Sequence, residues 1–146
     1  MSEQAAAVGH APPGNFLTRY VFSRDHKVIG MQYVMLAIVA DFFGMLLSLL
    51  MRAHLVWPEA AWPLLEWFFP DGASGGVITP ELYLALMTMH GTIMVFFVLS
   101  TAIQSGFGNY FLPLQIGADD MAFPTLNMLS FWVTAAGSVV LLNTAS

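Results

Sequence analysis

Three long apolar stretches constrain the fold more than any other feature of this chain. They run over residues 29–52, 82–104 and 126–146. As helices with a rise of about 1.5 Å per residue, the first two are each about 35 Å long, enough to cross a hydrocarbon core of about 30 Å. The third contains an apolar run of only 17 residues, Leu126–Leu142, which is marginal for a span. The sequence therefore predicts an all-α fold of polytopic transmembrane helices, with the third helix incomplete.

The composition agrees with a membrane protein. Hydrophobic residues make up 58% of the chain and charged residues only 9%, whereas a soluble domain carries about 25% charged residues. The net charge of −5 rests on few charges and argues against a nucleic acid as partner. The chain has no cysteine, which excludes disulfides and thiolate metal sites.

The basic residues are distributed unevenly along the chain. Arg19, Arg24 and Lys27 precede the first apolar stretch, and Arg52 is the only basic residue after them. Loops rich in lysine and arginine stay in the cytoplasm. The N-terminal tail, residues 1–28, is therefore predicted to be cytoplasmic.

Two connections separate the apolar stretches, residues 53–81 and residues 105–125. Both contain glycines and prolines at close spacing and are predicted to be non-helical. With a cytoplasmic N-terminus, the first connection faces the periplasm and the second faces the cytoplasm. The first connection holds three tryptophans that fit an interfacial aromatic belt and packing within the loop equally well: Trp57, Trp62 and Trp67.

Three polar side chains lie within or at the end of the apolar stretches. Their presence requires an explanation, because inserting a charged side chain at the centre of a membrane helix costs about 2.5–3.5 kcal/mol. His90 lies near mid-membrane, in the outer half, and is either a ligand or proton carrier or a hydrogen-bonded structural group. Neutral imidazole is the commonest metal ligand and an axial ligand of haem iron. Arg52 either extends to the membrane surface or meets a partner. Asp41 is either a proton carrier or a protonated hydrogen-bonding group.

Asp41 and Arg52 belong to a stripe of residues spaced three or four apart, which share one helix face. Small residues on such a face are typical of packing between membrane helices. A helix packed there is predicted to bury Asp41 and to bring Arg52 toward a partner. The stripe consists of Gly30, Tyr33, Ala37, Asp41, Gly44, Ser48 and Arg52.

A pair of acidic residues, Asp119 and Asp120, lies in the second connection. The pair fits a solvated turn, and it also fits a proton collector at the mouth of a channel. Residue types and spacing alone leave both interpretations open.

Four segments of the chain resemble the N-terminal part of subunit I of the haem–copper oxygen reductases. They are RDHKVIGMQY at 24–33, LLSLLMR at 46–52, MHGTIMVFF at 89–97 and GFGNYFLPLQIGADDMAFPTLNMLSFW at 106–132. The last segment is the longest and the most specific, and the resemblance extends over about residues 24–145. It implies the first three of roughly twelve helices, with the remaining helices supplied by a longer chain or by a second chain.

The resemblance also implies roles for individual residues. His90 matches an axial ligand of the low-spin haem, which would be a-type, and Arg52 matches an arginine that lies against that haem. Asp120 matches the entrance of a proton pathway. The resemblance assigns no role to Asp41 or Asp119. The other residues that match the proton pathway are Asn109, Asn127, Tyr33, His26 and Ser130.

The function implied by the resemblance is that of a proton-pumping cytochrome c oxidase in a prokaryotic inner membrane. No catalytic residue is expected in this segment, because the ligands of the high-spin haem and of copper lie in later helices. The implied partners are the remaining helices of subunit I, oxidase subunits II and III, cytochrome c and membrane lipid. Cytochrome c is favoured as electron donor because the polar residues of the quinol-oxidising branch are replaced here by Phe43, Leu47, Leu82 and Ala85.

Two alternatives do not involve an oxidase. The first is a haem-free membrane transporter or scaffold, in which His90 and Asp41 form a proton relay. The second is a non-functional remnant of an oxidase subunit, which would not assemble with partner helices.

Overall fold

Three long helices dominate the chain. The computed structural model describes residue 16, residues 20–119 and residues 121–143. No strand occurs within these residues, so the all-α prediction is confirmed. The elements are α1 (His26–Val56), α2 (Pro63–Phe68), a 3₁₀ turn (Ser74–Gly76), α3 (Pro80–Thr92), a π-helical segment (Ile93–Phe107), α4 (Gly108–Ile116) and α5 (Pro124–Asn143). From α3 to α4 the chain runs on as one helix, Pro80–Ile116, called here the second long helix.

Local hydrogen bonds explain where the long helices begin and end. The carboxylate of Asp25 accepts a hydrogen bond from the backbone N–H of Lys27, at 2.9 Å, and caps α1. The hydroxyl of Thr79 accepts from the backbone N–H of Leu82, at 3.2 Å, and caps α3 in the same way. The second long helix ends at Gly117, whose φ of 70° is the left-handed conformation that glycine adopts most easily.

The second long helix extends well into a region predicted to be non-helical. The prediction for residues 105–125 is wrong over residues 105–116, which are helical. Gly106 serves helix packing instead of a turn, because a Cβ on it would lie only 2.7 Å from Cγ2 of Val34. Pro113 lies inside α4. Membrane helices tolerate an internal proline when neighbouring groups bond to the backbone carbonyl that proline leaves unpaired.

The connection between α1 and the second long helix folds down onto the helix ends. Its apolar side chains form a buried cluster with the start of the second long helix, made of Leu65, Ala73, Ile78, Leu82 and Leu86. The three tryptophans of the connection stay outside this cluster, with exposed fractions of 59% for Trp57, 43% for Trp62 and 75% for Trp67. This exposure favours the interfacial belt over packing within the loop, and the belt stays a prediction.

The second long helix runs antiparallel to α1 and in close contact with it. Gly30, near the start of α1, lies beside Gly106, and Gly44 lies beside Met94, which is earlier in the second long helix. Helix α5 packs on the first half of α1, where the rings of Tyr33 and Phe131 meet edge to face at 5.2 Å.

The predicted packing stripe on α1 is confirmed in part. Gly30, Tyr33, Ala37 and Gly44 are buried. Asp41 is exposed, so the prediction that packing buries it is wrong. With about 100° of rotation per residue, Asp41 lies about 50° from the centre of the buried stripe, at its edge.

The helices have the length and composition of membrane spans. The three candidates are α1, the second long helix and α5. In the most apolar 18-residue stretch of each helix, only 11%, 17% and 6% of the residues, respectively, are buried within the described structure. The remaining apolar surface must be covered by lipid or by further helices, as in a multi-pass membrane protein.

The contact at Gly30 leads to a prediction about stability. A Cβ on Gly30 would lie 3.0 Å from the carbonyl oxygen of Gly106 and 3.1 Å from the backbone nitrogen of Tyr110. Backbone atoms cannot rotate away, so Gly30→Ala should push the two helices apart and lower the free energy of unfolding by about 1–3 kcal/mol. Unfolding by SDS of the protein in mild detergent measures this change.

The matched control is Gly137→Ala. A Cβ on Gly137 in α5 meets no atom within 4 Å, so this variant should keep its stability or gain some from the higher helix propensity of alanine. Equal stability of the two variants would contradict a tight contact at Gly30.

Candidate functional site

His90 lies in the last turn of α3, half-buried against α1. Its Nδ1 is 2.8 Å from the carbonyl oxygen of Gly44. A carbonyl oxygen only accepts, so Nδ1 carries the hydrogen of the neutral ring and donates it. The lone pair is then on Nε2, which is the nitrogen left to bind a metal. This is the arrangement of metal-bound histidines, whose second ring nitrogen donates to a carbonyl or carboxylate.

The surface next to His90 is open at Gly91. Gly91 is exposed, and a Cβ on it would meet no atom within 4 Å. Among the residues that the structure describes, no group of three or more His, Cys, Asp or Glu side chains gathers around a point. A haem that takes one axial ligand from the segment fits the residues present.

Arg52 lies near the C-terminal end of α1 and is exposed. In the part of the chain that the structure describes, its guanidinium makes no ion pair or hydrogen bond. Arg52 follows Gly44 by eight residues, about 12 Å further along the helix. The structure therefore places a permanent positive charge between the contact of His90 with Gly44 and the C-terminal end of α1.

Two of the predicted proton-pathway residues meet between α1 and α5. The hydroxyl of Tyr33 donates a hydrogen bond to the hydroxyl oxygen of Ser130, at 3.0 Å. Tyr33 is 2% exposed whereas Ser130 is exposed, so this pair joins the two helices at the edge of their contact. Hydroxyl groups both donate and accept, as a proton relay requires.

The remaining pathway residues lie at the same end of the helices. His26 is buried at the start of α1. Asn109 is buried in α4, and its amide donates to the carbonyl of Ser105, at 2.6 Å. The amide of Asn127, in the first turn of α5, donates to the sulfur of Met121, at 3.1 Å.

The structure describes one residue of the acidic pair in the second connection. Asp120 lies outside the described residues. Its neighbour Asp119 is exposed. Within the described part of the chain, a hydrogen bond joins Tyr33 to Ser130, whereas the amides of Asn109 and Asn127 donate to Ser105 and Met121.

Gly44 is the residue that reasoning from the sequence missed. The stripe of small residues predicted its burial, but its carbonyl also serves as the acceptor for His90. Every residue carries a backbone carbonyl, so no side-chain pattern could reveal this role. The only sequence signal is that a glycine stands where the helices come closest.

A separate apolar cavity of about 560 Å³ opens between α1, α2 and the second long helix. Neither His90 nor Arg52 lines it. Phe43 and Leu47 do, and these are two of the positions where the quinol-oxidising branch is expected to carry polar residues. All the side chains around the cavity are apolar: Phe43, Leu46, Leu47, Leu49, Leu50, Ala53, Leu64, Leu65, Phe68, Phe69, Met89, Ile93 and Leu142.

Comparison with known proteins identifies relatives with the same segments. The alternative cytochrome c oxidase subunit 1 of Bradyrhizobium diazoefficiens is 41% identical over 129 residues, which is 88% of this chain and 20% of the relative. Cytochrome c oxidase subunit 1 of Thermostichus vulcanus is 41% identical over 123 residues, 84% of this chain and 20% of the relative. The subunit 1 of Corynebacterium diphtheriae is 38% identical over 137 residues, 94% of this chain and 22% of the relative.

The chain thus spans about a fifth of the length of the curated relatives it matches. The match lies in their N-terminal part, which confirms the resemblance seen in the sequence. The family model described as cytochrome c and quinol oxidase polypeptide I matches residues 28–146. The chain therefore belongs to the family of cytochrome c and quinol oxidase polypeptide I.

Proposed function

We propose that the chain is the N-terminal part of the catalytic subunit of a proton-pumping terminal oxidase. The complete subunit passes electrons from cytochrome c through a low-spin haem to a haem–copper centre, where O₂ is reduced to water. This segment alone is not catalytic, because it offers one haem ligand and no ligand set for the second haem or for copper. Family membership supports the class of enzyme, and the hydrogen bond between His90 and Gly44 supports the site.

His90 would hold the low-spin haem through Nε2. The hydrogen bond from Nδ1 to Gly44 fixes the orientation of the ring and raises the basicity of the ligating nitrogen. Arg52 would lie against the edge of the same haem and donate to a carbonyl substituent if the haem is a-type. When bound, the haem supplies one-electron transfer.

Cytochrome c is the proposed electron donor. A quinol head group needs hydrogen-bond donors and acceptors, because a buried polar group without them is costly. At Phe43 and Leu47 the chain instead lines an apolar cavity. Leu82 is buried in the apolar cluster beneath the outer connection, and Ala85 has no polar atom in its side chain.

The proposed proton pathway begins at Asp120. A carboxylate at the cytoplasmic mouth of a channel attracts protons, and neutral polar groups behind it hold ordered water. The hydrogen bond between Tyr33 and Ser130 supports a relay through the first half of α1. Asn109, Asn127 and His26 are the other proposed members.

The proposed location is a prokaryotic inner membrane, with the N-terminus in the cytoplasm. Most of the apolar helix surface is left uncovered by the described residues, which supports assembly with the remaining helices of subunit I and contact with lipid. Subunits II and III are the other proposed partners. A haem-free transporter is not favoured, because a relay needs Asp41 and His90 to be linked, and within the described residues Asp41 is exposed and makes no hydrogen bond to His90.

The assignment of His90 to haem iron leads to a direct prediction. In membranes that contain the complete oxidase, His90→Ala should abolish the low-spin haem bands of the reduced-minus-oxidised spectrum, because the axial ligand is lost. His54→Ala removes another histidine near the outer end of α1 and should keep the bands. Unchanged low-spin bands in His90→Ala would refute the assignment.

The role of Arg52 is tested by the position of the low-spin haem band. Arg52→Met should move the band to shorter wavelength, because a hydrogen bond to a conjugated carbonyl of the haem would be lost. Lys27→Met removes a positive charge from the opposite end of α1 and should leave the band in place. A band that responds equally to both variants would indicate a general charge effect.

The proton pathway is tested by pumping in vesicles that contain the complete oxidase. Asp120→Asn should abolish proton uptake from the cytoplasmic side and stop pumping, because an amide does not take up a proton at this position. The neighbouring Asp119→Asn is the matched control and should pump normally. Normal pumping by Asp120→Asn would place the entrance of the pathway elsewhere.

A further inference from the structure

We propose that Met94 is a positioning residue for the haem ligand. Its side chain rests on Gly44 and sets the helix separation at which His90 donates to the carbonyl of Gly44. Through that hydrogen bond it would tune the reduction potential of the haem. The inference rests on the proposed function, in which Nε2 of His90 binds haem iron.

The first observation is the position of the Met94 side chain. A Cβ built on Gly44 would lie 2.7 Å from Sδ of Met94 and 3.6 Å from its Cγ. The thioether therefore occupies the space that any larger residue at position 44 would need. Ile93 approaches the same point only to ordinary contact distance, with its Cγ2 at 3.5 Å.

The second observation is that His90 and Met94 are four residues apart on one helix. Residues at this spacing lie on the same side, about one turn from each other. Both reach Gly44, the ring at its carbonyl oxygen and the thioether over its α carbon. The helix therefore has two neighbouring contacts with the same residue of α1. If Met94 sets the helix separation, a shorter side chain at position 94 should change the distance from Nδ1 of His90 to the carbonyl oxygen of Gly44.

The length of this hydrogen bond matters to the iron. A strong bond leaves more negative charge on the ring and makes Nε2 a better electron donor. A better donor stabilises the more highly charged, oxidised iron and lowers the reduction potential. Lengthening the bond should therefore raise the potential.

Methionine is well suited to such a contact. Its unbranched side chain has three rotatable bonds and fills irregular gaps between helices. Leucine has a similar volume and usually replaces methionine at little cost. Met94→Leu should therefore keep the helix separation, whereas Met94→Ala should not.

The experiment is a redox titration of the low-spin haem in the purified complete oxidase. Gly44→Ala places a methyl group in the space of the Met94 thioether, and if Met94 sets the helix separation this group should push the helix away from α1. We expect the equilibrium constant for haem reduction to rise about tenfold, as for loss of an outer-shell partner, which is about 59 mV for one electron. In the double variant Gly44→Ala/Met94→Ala the new methyl group takes the vacated space, and the potential should return toward its original value.

Three further variants keep the test decisive. Gly137→Ala adds a methyl group to a helical glycine with no atom within 4 Å and should leave the potential unchanged. If Gly44→Ala does not assemble, Met94→Ala and Met94→Leu decide the test. A shifted haem potential in Met94→Ala with an unshifted one in Met94→Leu supports the role of Met94. The same potential in both variants overturns it. The inference is also overturned if Gly44→Ala keeps the haem potential of the unmodified oxidase, or if the double variant keeps the shifted potential of Gly44→Ala.

Failure of this inference is distinguishable from failure of the proposed function. If the unmodified oxidase has no low-spin haem whose bands disappear in His90→Ala, the proposed function itself fails. If those bands behave as expected but substitutions at positions 44 and 94 leave the haem potential unchanged, only the proposed role of Met94 fails.

Discussion

The close approach of α1 and the second long helix is the contact on which the rest of the structure depends. It exists because glycines stand where the helices touch: Gly30 beside the backbone of Gly106, and Gly44 beneath Met94. Between helices in a membrane there is little hydrophobic driving force, so such close packing and interhelical hydrogen bonds carry the association. The same approach brings the ring of His90 within 2.8 Å of a backbone carbonyl on α1.

This contact links packing with chemistry. Without a partner at Nδ1, a histidine in an apolar helix would carry an unpaired polar group and an undefined tautomer. With Gly44 as acceptor, one ring nitrogen is committed and the other is left for a ligand. The packing of α1 against the second long helix therefore decides which ring nitrogen of His90 is available to a ligand. His90 and Gly44 are 46 positions apart in the sequence.

Much of this arrangement could be predicted from the sequence, for identifiable physical reasons. Apolar length predicted the three helices, and the small residues of α1 predicted the face that Gly30, Ala37 and Gly44 bury. The helix over residues 105–116 was missed because glycine and proline usually end helices in water, whereas in a membrane glycine also allows close packing. The exposure of Asp41 was missed because spacing alone does not locate the edge of a contact. The carbonyl of Gly44 was missed because backbone acceptors have no sequence signature.

The most direct test of the account is a structure of the complete oxidase that contains these residues, determined by electron cryo-microscopy. The account predicts that haem iron would be bound by Nε2 of His90, with Nδ1 still donating to the carbonyl of Gly44. A haem bound elsewhere, or a His90 ring that turns Nδ1 toward a metal and leaves Gly44, would contradict it.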